Sequence, residues 1–325
     1  MVAVNASAAL NMTGVFTGTT GLTKSLGGDL TLSVPQYYTG QTTVNAGTLK
    51  LAGGNNTLLP GQNLSLNSGA TLDLNGTSQY AGTLSSYGYD ASKLGTTGGA
   101  ITNTGGGTAS FITMPTGLVA NNVWGGTTAG DLNYVRLSGW STIHTGVGAH
   151  TGVTAILGGG ITLAVDGSLV NTSKVINVAG TLSIDNNTGL AFENTNRIND
   201  AAPVFLTGGN ISFSSRPNSN STERLGALTV DSASTLSVTA NAVGSYGSAD
   251  LIFASLVRKA GSGATVSFNG TNLGQVGYYP RILLDAPMAN DATIGALGAW
   301  AIANSWDYAG YNAVQGFGAV GNAPP

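Results

Sequence analysis

Two histidines, two glutamates and twelve scattered aspartates are the side chains with which this chain would move protons. General acid–base work on a sugar needs two carboxylates roughly 5–10 Å apart, or an acid beside an Arg or Lys base. The nearest approach to that pattern is Glu193 with Arg197 and Asp200; Glu223 stands apart, and the neighbourhood reads as a solvated turn. His144 and His150 have neither the i, i+4 spacing of a helical metal site nor the alternate-residue spacing of a strand, so they read as loop histidines. Calcium-binding nonapeptides require regularly spaced Asp, which is missing here. The runs Gly105-Gly106-Gly107 and Gly158-Gly159-Gly160 lack the Lys-Ser/Thr ending of a phosphate loop and read as turns. No residue is therefore assigned a catalytic, cofactor-binding or metal-binding role, no cofactor is expected, and the chain reads as a non-enzyme.

The aromatic residues offer a different chemistry. Tyr37, Tyr38, Tyr80, Tyr87 and Tyr89 suit either a sugar-binding stripe or apolar caps at corners, and the second reading is preferred. Trp124 and Trp140 are the candidate contacts to a glycan or cell surface. The triplets Asn11-Met12-Thr13 and Asn75-Gly76-Thr77 match a glycosylation acceptor, as chance allows in a chain so rich in Asn, Ser and Thr.

Composition narrows the field further. Only 8% of residues are charged, against about 25% in an ordinary globular domain, and 50 are glycine. The 42% apolar fraction and net charge of −3 argue against disorder. Eleven basic residues, scattered singly, make nucleic acid a poor partner. No stretch approaches the ~18–20 apolar residues of a membrane helix, and the start of the chain lacks the basic and apolar regions of an intact signal peptide. With no cysteine, disulfides drop out and the redox compartment stays undetermined.

The elements that must carry these residues are short alternating phrases led by a small residue. Gly47-Thr48-Leu49-Lys50-Leu51, Gly69-Ala70-Thr71-Leu72-Asp73-Leu74 and Gly180-Thr181-Leu182-Ser183-Ile184 are the clearest. Others are Gly160 to Val165, Asn210 to Phe213, Gly226 to Val230, Thr235 to Val238 and Gly263 to Phe268. Alternation is the period of a half-buried strand. Gly and Asn between the phrases permit tight corners, so each strand can return to stack on the last. Hairpin-type dipeptides are few (Asn75-Gly76, Asp166-Gly167, Asn269-Gly270), which favours a parallel β-solenoid over a sandwich or barrel. Only Ala286 to Ala303 carries a partial helix signal, weakened by Gly295 and Gly298.

One solenoid is expected over residues 1–320, with repeat-like coils at 21–76, an irregular loop-rich insertion at about 85–155, further coils at 156–285 and a terminal or capping segment at 286–325. Residues 132–155, with Tyr134, Trp140, His144 and His150, read as an aromatic excursion from the stack.

The wording of residues 21–51 is specific. Gly21-Leu22-Thr23-Lys24, then Gly28-Asp29-Leu30-Thr31-Leu32-Ser33, then Tyr38-Thr39-Gly40-Gln41-Thr42-Thr43-Val44-Asn45-Ala46-Gly47-Thr48-Leu49-Lys50-Leu51 resembles the autotransporter-associated β-strand repeat, with Gln41 replacing a Gly. Residues 222–320 are similar to the terminal portion of long secreted proteins that carry such repeats, ending in Gly298 to Ala301. The resemblance implies a right-handed parallel β-helix exposed at or beyond the bacterial cell surface, with no catalytic residues to carry over. No run of amphipathic ~10-residue strands follows, so a translocating barrel is not expected.

The expected role is that of an extracellular structural protein whose subunits stack through solenoid ends into a filament, surface layer or fibre. Val2 to Val15 and Trp306 to Val320 are the candidate contacts. The alternative is an adhesin or passenger stalk that binds a glycan or cell surface, and a carbohydrate-active β-helix enzyme ranks last.

Overall fold

The computed structural model describes residues 1–86, 98–115, 122–137, 139–188, 193–241 and 247–322. Nearly all regular structure is short β-strand in long parallel sheets; one 3-10 turn, Val320–Asn322, is the sole helix among the described residues. The chain forms two units, residues 1–155 with 159–161 and 166–172, and residues 156–158 with 162–165 and 173–325.

In the first unit the chain passes from one sheet to the next and returns one strand further along. Leu22–Ser25, Thr42–Val44 and Gln62–Leu66 stack in one sheet. Asp29–Leu32, Gly47–Leu51 and Ala70–Asp73 stack in an eight-stranded one. Register explains the core: Leu30 lies on Leu49, Leu49 on Leu72 and Leu72 on Ile101, all fully buried. Each such Leu contributes roughly 1.5–3 kcal/mol by leaving water. Coils here advance by about 20 residues, the short end of solenoid periods. Asn75 and Gly76, both at positive φ, turn a corner between parallel strands and close no hairpin.

The stretch expected to be a loop-rich insertion carries strands in register wherever it is described. Ala109–Thr113 pairs with Leu132–Arg136, and Asn122–Trp124 pairs with Ser141–His144. Residues 132–155 hold four strands of the stack, so the aromatic excursion is corrected to regular coils. Tyr87 and Tyr89 lie outside the described residues.

In the second unit Leu228–Val230 stacks on Val204–Leu206, and Thr181–Asp185, Asn210–Ser214, Ser234–Thr239, Val266–Asn269 and Ala301–Ala303 form a column. Coil steps lengthen here to roughly 25–35 residues. The column ends differently from its beginning, because Ala301–Ala303, Asp307–Asn312 and Gly316–Ala319 pair antiparallel. Phe317 from the last strand stacks on Phe268 at 3.9 Å between ring centroids, and both are fully buried. The partial helix expected between Ala286 and Ala303 does not form. Gly295 and Gly298 take φ of 66° and 116°, which turns the chain away from helix.

Candidate functional site: the edge of the first coil

The residues with acid–base chemistry are taken up by the backbone. Glu223 lies on Ser221–Leu225, fully buried, and its carboxyl accepts N–H from Arg197 at 3.1 Å and from Ile198 at 2.9 Å. Arg197 is buried too and donates through Nε to Asn186 Oδ1 at 2.7 Å. Glu193 accepts a hydrogen bond from Ser219 Oγ at 2.7 Å, and Asp200 is exposed. Of the expected Glu193, Arg197 and Asp200 group, Arg197 is thus drawn inward by Glu223, and the solvated-turn reading is corrected for it. Burial pushes the Glu223 carboxyl up to about 8, opposed by those two N–H groups and the Arg197 charge. Glu223 sits one coil away from Arg197, so no local spacing could have paired them.

The histidines are core residues at strand ends, where loop positions were expected. His150 bridges Thr128 Oγ1 at 2.8 Å and Thr154 Oγ1 at 2.9 Å, and Thr154 continues to Thr172 at 3.0 Å. His144 Nε2 meets Tyr134 Oη at 3.2 Å. Burial lowers His144 to about 3, helped by the Arg136 and His150 charges, and burial lowers His150 to about 4. Both are therefore neutral at pH 7; His150 knits hydroxyls of successive coils, and His144 meets a hydroxyl of its own coil. Among the described residues no three His, Asp or Glu gather as metal ligands, and no helix is long and apolar enough to cross a membrane.

Lys24, in the Gly21-Leu22-Thr23-Lys24 phrase, points inward where alternation places an apolar side chain. Its ammonium donates to the carbonyls of Leu26, Gly28 and Ala46, the last at 2.6 Å. Burial lowers its pKa while the Asp29 charge raises it. Gly47, at φ 67°, leaves room for the ammonium; a Cβ there would collide with Nζ and with the Gly28 carbonyl. Two separated parts of the repeat phrase, Lys24 and Gly47, are one local solution to a crowded corner.

Trp124 is fully buried and cannot meet a glycan, which corrects that expectation; Trp140 is half exposed. Tyr38 is buried, as a corner cap should be, whereas Tyr37 is exposed.

The first coil of the first unit supplies the terminal strand of three sheets. Val2–Ala3, Ala9–Met12 and Thr17–Gly18 each end a sheet, pairing only with the following coil through Leu22–Ser25, Asp29–Leu32 and Tyr37–Tyr38. Their other edges pair with no described strand. Residues 1–23 contain no Asp, Glu, Lys or Arg, so no side-chain charge guards the edge. Met1, Leu10 and Val15 are exposed, and a hollow of about 250 Å³ lined by Met1, Val2, Phe16, Leu22 and Tyr38 opens beside them. Strand addition is the chemistry such an edge performs.

Comparison with protein-family models, curated proteins and solved structures returns no match.

Proposed function

We propose that the chain is a non-enzymatic, extracellular structural subunit, a right-handed parallel β-helix that self-associates by adding a coil of a second copy to the edge of its first coil. The observation that carries this reading is the uncharged edge itself, with three one-sided strands, exposed Leu10 and Val15, and a hollow of mixed apolar and hydroxyl lining. Natural edges are guarded by charge, Pro or a bulge, and this one has no charged side chain to guard it. The resemblance of residues 21–51 to a surface-protein repeat and the Ser, Thr and Asn surface support export. The non-enzymatic reading is supported by Glu223 and His150, whose polar atoms hold neighbouring coils together.

The other expected contact, Trp306 to Val320, is already paired within its own hairpin, with Phe317 and Ala319 buried, so assembly uses the first coil. Sedimentation velocity and negative-stain microscopy over a concentration series test this. The wild type forms assemblies that grow with concentration. Leu10→Lys with Val15→Lys, both at exposed positions, stays monomeric. Monomers throughout for the wild type, or unchanged assembly in the double variant, would overturn the reading.

A further inference from the structure

In the second unit two hollows lie at the column's last strands. One, of about 400 Å³, is lined by Ser237, Thr239, Asn269, Thr271, Asn272 and Asn304. The other, of about 330 Å³, is lined by Ile302, Ser305, Trp306, Asp307 and Tyr308. Their linings are linked through the consecutive residues Asn304 and Ser305 and through Ser305 Oγ, which lies 3.5 Å from Asn269 Oδ1. Each volume lies in the range of small-ligand sites, about 300–1,000 Å³.

The backbone at the junction takes the left-handed conformation. Asn304 and Ser305 both hold positive φ, 51° and 64°, a conformation that non-glycine residues keep only when the surroundings fix it. Here the Asn304 N–H donates to Phe268 O at 2.8 Å, and its Oδ1 accepts the Gly270 N–H at 3.0 Å. The turn so held presents Trp306 and Tyr308, 69% and 55% exposed, on either side of Asp307. Trp306 and Tyr308 thus set two large exposed aromatic faces beside a hollow.

From these observations we infer that the two hollows form one saccharide-binding groove for a neutral polysaccharide. Trp306 and Tyr308 stack on the C–H faces of a pyranose ring, which aromatic rings favour. Asp307 accepts from its hydroxyls, and the amides of Asn269, Asn272 and Asn304 and the hydroxyls of Ser237 and Thr239 take the neighbouring rings. The column extends the same chemistry: Ser183 lies under Ser212 with hydroxyls 2.6 Å apart, Ser212 under Ser237, and Ser237 under Asn269. Asp307 is the one charged side chain lining either hollow, so an anionic uronate chain is disfavoured. The groove is independent of the first-coil edge.

Native electrophoresis in gels cast with hydroxyethylcellulose, with alginate as the anionic control, tests the inference. The wild type is retarded by hydroxyethylcellulose and not by alginate. Trp306→Ala weakens retardation by at least about tenfold, the equivalent of losing about 1.4 kcal/mol, and Asn272→Ala by less. The unfolding midpoint of Trp306→Ala stays that of the wild type, which separates lost binding from lost fold. The Leu10→Lys, Val15→Lys variant binds like the wild type, so failure at the coil edge is distinguishable from failure here. Unaltered migration of the wild type in hydroxyethylcellulose, equal retardation in alginate, or full retardation of Trp306→Ala would each overturn it.

Discussion

Lys24 in the first unit and Glu223 in the second solve mirror-image forms of one problem. At a solenoid corner the chain leaves the ladder and its peptide groups lose their partners. Around Lys24 the stranded groups are carbonyls, and a buried ammonium donates to three of them. Around Glu223 they are N–H groups, those of Arg197 and Ile198, and a buried carboxyl accepts them. A third device, the Thr128–His150–Thr154–Thr172 chain, uses a neutral ring to link hydroxyls. The comparison teaches that the sparse ionisable residues of this chain are spent on corners and on coil-to-coil cohesion. It also predicts that the three devices respond differently to substitution and to pH.

The largest effect belongs to Lys24. Lys24→Met keeps the stem and removes the donor, leaving three carbonyls short of a partner at about 1–3 kcal/mol each. Urea unfolding should show a loss of roughly 3 kcal/mol or more, and a loss below 1 kcal/mol would break the comparison. Next comes acid sensitivity at the histidines. Their folded pKa values lie below the ordinary 6.5, at about 3 and about 4, so the unfolded chain takes up protons first. The stability they contribute is present above pH 6.5 and is lost as pH falls toward 4, with a slope of up to about 1.4 kcal/mol per pH unit for each group. His150→Gln, which keeps hydrogen bonding without a proton to gain, should flatten that slope in thermal melts at stepped pH.

Glu223 should behave oppositely. Its folded pKa is raised to about 8, so the folded chain holds the proton more tightly; stability is present below about pH 4.5 and is lost as pH rises through 8. Melts between pH 7 and 8, above the window in which the histidines act, should show a decline that Glu223→Gln removes, and a wild-type profile rising across that range would contradict the assignment. The smallest effect is expected outside the core. Trp306→Ala, at a 69% exposed position, should change stability by less than about 0.5 kcal/mol.

Much of the fold was legible where strands are apolar. Gly47–Leu51, Ala70–Asp73, Thr181–Asp185, Asn210–Ser214 and Ser234–Thr239 are all strands at the positions where alternation marks them. Legibility fails between 98 and 156 because polar residues interrupt the apolar inward positions there: Asn103, Thr113, Thr128, Arg136, His144 and His150 are buried alongside Ile101, Phe111 and Leu132. Polar residues at period two look like a loop when apolar character is the signal. Lys24 and Glu223 hide for the same reason, since only the stack reveals what they reach. The lack of charge from Val2 to Val15 was legible; the hollow lined by Ser237, Asn269 and Asn304 was not, because coils some 30 residues apart build it.

The central claim is that this chain assembles through the edge of its first coil. Sedimentation velocity of the wild type beside the Leu10→Lys, Val15→Lys variant, across a hundredfold range of concentration, tests it most directly. The account predicts a sedimentation coefficient that climbs with concentration for the wild type and stays that of a monomer for the variant. A wild type that remains monomeric across the range, or a variant that associates equally, would contradict it.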